Sequence, residues 1–261
     1  MQTVKRDGAV ILLIVVALAF QAHGKPGRKA HNMMDPKRYF EGVQLRLAEA
    51  IDKDSKQAIA QAITSGAKVD EAGKEGVTPL MYALVVKKKN SVAELLARSA
   101  DPNKRAQNGE NAVTLSGRLA ISDLDYLKIV LRNGGDPNTV EKDDDPILIL
   151  FIAQGNVDAI RVLAGAKANL DVLDRTKTPA IVHAAYSGNW DCVWALIAAG
   201  ANWRVTHGSV SLAWLAHTSS WKPDSPMYPW LVKTIEFLKS QGVSFPPPSP
   251  QQMKAAQQPR Q

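Results

Sequence analysis

One helix ending recurs along the chain and restricts what it can fold into. The segments "ITSGAKVD" (63–70), "LARSADPN" (96–103), "LRNGGDPN" (131–138), "LAGAKANL" (163–170) and "IAAGANWR" (197–204) each close an apolar stripe with a small-residue turn. Their leading residues Ile63, Leu96, Leu131, Leu163 and Ile197 follow at intervals of 33, 35, 32 and 34 residues. A period near 33 means that one supersecondary unit is repeated and stacked. The unit itself is legible in "IVHAAYSGNWDCVWALIAAGANW", residues 181–203. Ile181, Ala184 and Ala185 share one face of a short helix, and Gly188 supplies the left-handed backbone that ends it. Val193, Leu196 and Ile197 lie at i, i+3 and i+4 of a second helix, closed by Gly200. Isolated helices of this length are marginal in water, so each hairpin needs neighbours.

Helix starts fall in the same phase. Thr78-Pro79-Leu80 and Thr178-Pro179 combine a capping hydroxyl with a proline at the first helical position. Asp145-Pro146-Ile147 is a variant of that signal, with Asp145 expected to cap the next helix. Segment 111–120 lacks it. These residues resemble the ankyrin repeat, whose pattern runs roughly G-x-T-P-L-x-x-A-A-x-x-G, then V-x-x-L-L-x-x-G-A-D-x-N. The resemblance spans residues 41–245 as about six repeats with degenerate ends, and is best over 76–103 and 178–204. It implies an all-α solenoid of stacked helix-turn-helix units joined by short fingers. Another helical-hairpin solenoid would lead to nearly the same functional argument.

The two ends differ from the repeats. Lys5 and Arg6 precede an apolar run from Ala9 to Phe20 and then Ala22-His23-Gly24, the layout of a secretory signal peptide over 1–24. Cleavage is expected after Ala22 or Gly24; a short uncleaved membrane anchor is the alternative, although a bilayer span takes about 20 apolar residues. No cysteine follows the apolar run, so lipid attachment there is excluded. Cys192 is the single cysteine, which rules out an internal disulfide and suits a bacterial periplasm better than a disulfide-rich eukaryotic secretory setting. It reads as a semi-buried structural thiol, with no basic residue beside it to activate it. Residues 25–40 read as a basic linker, followed by a capping helix around 40–50, and 246–261 as a disordered Pro/Gln-rich tail.

No catalytic constellation appears. There is no H-E-x-x-H, no G-x-S-x-G, no P-loop and no G-x-G-x-x-G. No cofactor and no metal are expected. Asp143, Asp144 and Asp145 lack the alternate spacing and glycine turn of a calcium loop and read as a solvated finger tip. His183 reads as an ordinary helix residue. An unrecognised enzyme site around His207, His217 and Asp224 is the remaining catalytic alternative.

The formal net charge is +7, and loss of Lys5, Arg6 and Asp7 with the leader lowers it to +6. Basic patches such as "VKKKN" (86–90) alternate with acids, and no RNA-reading aromatic motif is present, so nucleic acid is not the expected partner. Weak attraction to an anionic surface is compatible with the charge. Finger tips of mixed sign, among them Lys104, Arg105 and Arg175, suit selective docking to a protein. All six tryptophans lie between residues 190 and 230. Trp190, Trp194 and Trp203 match variable positions of the pattern, Trp214 and Trp230 read as closing the end of the solenoid, and Trp203, Trp221, Tyr228 and His207 read as partner-facing.

These features describe an exported, non-enzymatic protein that binds a partner protein through its concave and finger surface. The resemblance to small exported bacterial ankyrin proteins implies, as the specific role, an immunity protein neutralising a secreted antibacterial toxin of the phospholipase type in the periplasm. A periplasmic support protein for an oxidative-stress enzyme is the rival role.

Overall fold

The computed structural model describes residues 34–141 and 143–256. The signal-peptide reading and most of the linker lie outside the described residues. The chain divides into two compact units, with the boundary in sequence after residue 142.

The first unit stacks three helical hairpins: α1 (Gly42–Asp52) with α2 (Lys56–Thr64), α3 (Pro79–Val85) with α4 (Lys89–Ala97), and α5 (Ala112–Leu119) with α6 (Asp125–Arg132). First helices pack on first helices, α1 on α3 and α3 on α5, and second helices on second helices, α2 on α4 and α4 on α6. The second unit repeats the plan with α7 (Ile147–Ala153) and α8 (Val157–Gly165), α9 (Ala180–Tyr186) and α10 (Trp190–Ala198), α11 (Leu212–Thr218) and α12 (Tyr228–Ser240). The only strands among the described residues are β1 (Thr206–His207) and β2 (Val210–Ser211), a minimal antiparallel hairpin. The architecture is therefore an all-α solenoid of stacked helix-turn-helix units. Leu47, Ile51, Ile59, Leu80, Leu84, Leu95, Val113 and Leu127 are completely or almost completely buried between the hairpins of the first unit; Phe151, Ile152, Ile160, Val182, Val193 and Leu196 do the same in the second.

The recurrent D-x-N ending has a physical job. Asp101, Asp136, Asn169 and Asn202 each accept a hydrogen bond from the amide two residues on, which folds the start of the finger. The next polar residue then reaches the following repeat. Asp70 accepts from the Asp101 amide at 3.0 Å, Asn103 from the Asp136 amide at 2.8 Å, and Asp171 from the Asn202 amide at 2.7 Å. The same side-chain position thus locks these three loops to the next one within each unit.

Helix starts only partly follow the sequence reading. Thr78 caps α3, its hydroxyl accepting from the Met81 amide at 3.2 Å with Pro79 at the first helical position. Thr178-Pro179 does not act this way. Pro179 is itself the extended N-cap residue of α9, and the Thr178 hydroxyl bonds that of Thr176 instead. Asp145 likewise does not cap α7; Pro146 holds that position, and Asp145 accepts from the Arg175 amide at 2.7 Å. Relative to the dipeptide, both helices start one residue later than α3. Segment 111–120 has a start signal of another kind: Asn111 and Thr114 form a reciprocal capping box.

Three further expectations change. Tyr39 and Phe40, assigned to the linker, are core residues, and the Phe40 ring meets Tyr82 edge-on at 5.7 Å. Trp190, assigned to a variable position, is 1% exposed, because the first turn of α10 points into the stack rather than away from it. Within the segment read as a disordered tail, α13 (Pro250–Ala256) forms. Ser249 and Gln252 cap its start reciprocally, although the helix buries nothing.

Candidate functional site

In the second unit several candidate side chains gather around α9. His183 and Tyr186 lie three residues apart, hence on one face of that helix. His183 Nδ1 lies 2.8 Å from Oδ2 of Asp174, in the finger before the helix. The other carboxylate oxygen of Asp174 accepts from the Thr176 amide (2.7 Å), the Thr176 hydroxyl (2.6 Å) and the Thr178 amide (2.9 Å). Burial alone would raise the Asp174 pKa. The hydrogen bonds from Thr176, His183 and Thr178 outweigh it and hold the carboxyl at about 2. A fixed carboxylate thus orients the half-exposed imidazole from behind.

Two more predicted residues converge on the same helix. The β1–β2 hairpin turns through Gly208-Ser209 and brings His207 edge-on to Tyr186, with ring centroids 6.1 Å apart. Trp221 lies on Gly188, the residue that turns α9 toward α10. Gly188 has φ +73°, and a Cβ there would stand 3.2 Å from the indole ring. Tyr186 and Trp221 remain 50% and 41% exposed. The result is a preformed surface of one imidazole-aromatic pair, a second imidazole and an indole.

The other predicted contact residues sit elsewhere. Trp203 meets Phe237 of α12 edge-on at 5.7 Å, with the Arg204 guanidinium 4.0 Å from its ring centroid. Trp194 packs on the same phenylalanine, and Lys233 lies over both Trp194 and Trp230. Tyr228 begins α12 and is half-buried. Arg175 is exposed on its finger beside Asp145. In the first unit Lys104 donates to the Asp70 carbonyl at 2.6 Å. Arg105 donates to the Gly109 carbonyl at 2.6 Å and to the Thr139 hydroxyl at 3.3 Å, so it braces two fingers. His217 lies against Trp214, whereas His207 meets Tyr186. No cluster of three metal-ligating side chains occurs among the described residues.

Comparison with known families agrees with this geometry. A model of three ankyrin repeats matches residues 118–207, and a single ankyrin-repeat model matches residues 75–107. This chain is an ankyrin-repeat protein. No curated protein matches it. Ankyrin repeats make it a protein-binding repeat protein, and no helix among its described residues is long and apolar enough to cross a membrane.

Sequence reasoning missed two features of the ankyrin-repeat stack. One is the Asp174–His183 pair, whose partners are separated by a finger turn. The other is a groove in the first unit, between α3 and α5 and their fingers. It is small, partly open to solvent, and lined by the buried side chains of Tyr39, Val77, Met81, Tyr82, Val85, Ala106, Glu110 and Leu115. At its floor Tyr82 donates to Asp52 at 2.8 Å. Burial and the adjoining carboxylate raise the Tyr82 pKa, so that ring stays neutral.

Proposed function

We propose that this ankyrin-repeat protein is an exported, non-enzymatic binder that covers a partner protein with the α9 surface of its second unit. The observation that carries the reading is the exposure of Tyr186 and Trp221 around Gly188, beside His183 and His207. Tyrosine and tryptophan are the residues that most often dominate binding energy at protein interfaces. The hydrogen bonds that fix Asp174, and the ring contact that fixes Tyr186, mean little ordering is left to do on binding.

Export rests on the basic-apolar-small layout of residues 1–24. The specific role we propose is that of an immunity protein, occluding the entrance of a secreted phospholipase-type toxin in the periplasm. That step rests on resemblance to small exported bacterial ankyrin proteins.

The test is co-expression with periplasm-directed phospholipase toxins. Protection of the host, lost in a Tyr186→Ala, Trp221→Ala double variant that still folds, is the expected outcome. Full protection by that variant would discard the α9 surface. Retention of the chain in the cytosol would discard the periplasmic role.

A further inference from the structure

We propose that residues 34–40 are a strap closed over the free face of α3, and that a proton taken up by the Asp52 carboxyl latches it through Tyr82. The device lies wholly in the first unit and stands whether or not the α9 surface binds a protein.

The repeat defines the face. His183 and Tyr186, the fourth and seventh residues of the seven-residue helix α9, are the two that it leaves half-exposed and exposed. The fourth and seventh residues of α3, also seven residues long, are Tyr82 and Val85, and these are only 1% and 8% exposed. The chain before α1 accounts for the difference. A short helical turn at Pro36–Arg38, capped by Asp35, leads to Tyr39 and Phe40, whose rings lie 6.4 and 5.7 Å from that of Tyr82. Tyr39 also lines the small groove with Val85. The far end of the strap is fixed by the Lys74 amide, which donates to the Tyr39 carbonyl at 2.8 Å.

The near end depends on one hydrogen. Tyr82 Oη lies 2.8 Å from the Met34 carbonyl and 2.8 Å from Asp52 Oδ1. A carbonyl only accepts, and so does an ionised carboxylate, whereas a phenol has a single hydrogen to donate. With Asp52 ionised, the two oxygens compete for that hydrogen. With Asp52 protonated, the carboxyl donates to Tyr82 Oη and the phenol donates to Met34, so both contacts are made. The surroundings favour the proton. Burial is the largest influence and raises the Asp52 carboxyl above its ordinary range; the Tyr82 hydroxyl and the Lys88 charge act against it, and the Asp35 and Glu49 charges add to it. Asp52 also ends α1, where the helix dipole disfavours a carboxylate. Asp54, two residues on, is engaged by Ser91 and Asn90. The folded chain therefore takes up this proton at a higher pH than the unfolded chain does, and the strap is held more firmly as pH falls through the Asp52 titration.

The experiment is amide hydrogen exchange of the full chain, followed residue by residue across the carboxylate range, with each rate corrected for its intrinsic pH dependence. The Arg38, Tyr39 and Phe40 amides, which bond the Asp35 and Pro36 carbonyls, report the strap, and the Ile59 amide of α2 reports the unit as a whole. Strap protection is expected to rise about threefold or more as pH falls through the midpoint read from the Asp52 carboxyl carbon, with no matching step at Ile59. Asp52→Asn should hold the protected level at every pH, because its amide donates to Tyr82 Oη permanently. Tyr82→Phe should remove the step and leave the strap poorly protected. Should Tyr82→Phe loosen the whole unit, as Ile59 would show, Glu49→Gln serves instead: it keeps both hydrogen bonds and should move the strap step and the Asp52 midpoint to lower pH together. No step in the parent chain, a step that survives Tyr82→Phe, a strap in Asp52→Asn as poorly protected as in Tyr82→Phe, or a step that stays behind when Glu49→Gln moves the Asp52 midpoint would overturn the proposal. No partner enters the measurement, so its failure leaves the α9 reading untouched.

Discussion

The carboxylate of Asp174 holds His183 Nδ1 at 2.8 Å while taking three further hydrogen bonds from Thr176 and Thr178. One side chain therefore folds a finger and orients the helix residue that the finger precedes. Its folded-state pKa of about 2 lies below the ordinary value of 3.8, so the ionised form is favoured by folding. The stability it contributes is fully present above pH ~4 and is lost as pH falls toward 2. Asp174→Ala should cost about 1–3 kcal/mol at neutral pH, because buried amides lose their acceptor. The variant should also lose less stability than the parent between pH 4 and 2. Urea unfolding across that range measures both effects; parallel curves would mean the carboxylate is not selectively stabilised.

The two Thr-Pro dipeptides should respond differently to the same change. Thr78 caps α3 through the Met81 amide, and removal of such a cap costs about 1 kcal/mol. Thr178 sits before the N-cap and its hydroxyl meets only that of Thr176. Thr78→Ala is expected to lower the denaturation midpoint more than Thr178→Ala does. The reverse order would mean that Thr178 has a capping role in solution.

That contrast shows what the sequence carried and where it stopped. The repeat period, the six hairpins and the apolar stripes are local patterns, and they survive in the structure. The phase of Thr178-Pro179 is not local. It depends on how many residues the preceding finger uses, and the backbone shows the start of α9 displaced by one. Tryptophans were legible as a cluster, but not their directions: Trp190 is core, Trp203 leans on α12, and Trp221 reaches back to Gly188. The groove draws on positions from Tyr39 to Leu115, and no window of the sequence contains it.

Cys192 is completely buried and its thiol is pushed up to about 12, chiefly by burial and then by the neighbouring Asp191 charge. A thiol in that state is not nucleophilic near neutral pH. Native protein should leave an aromatic disulfide reagent such as DTNB uncoloured, and denatured protein should release one equivalent. Rapid labelling of the native chain would show that the first turn of α10 opens on its own.

Gly73 should be the least replaceable small residue of the first unit, for a reason unrelated to positive φ. Its φ is −82°, which any residue adopts. The obstacle is space: a Cβ there would collide with the Tyr39 carbonyl and stand 2.8 Å from Cδ1 of Phe40. The same carbonyl accepts from the Lys74 amide at 2.8 Å, so this contact pins the start of the described chain to the first finger. Relief requires moving backbone rather than a flexible side-chain tip. Overpacking costs about 1–3 kcal/mol, and the rigid obstacle places Gly73→Ala at the upper end. Gly165 offers the control, since it ends α8 with open space around it, and alanine there should be neutral or stabilising by up to about 1 kcal/mol. Gly73→Ala with an unchanged denaturation midpoint would mean that Tyr39 and Phe40 are not held on the finger as the structure places them.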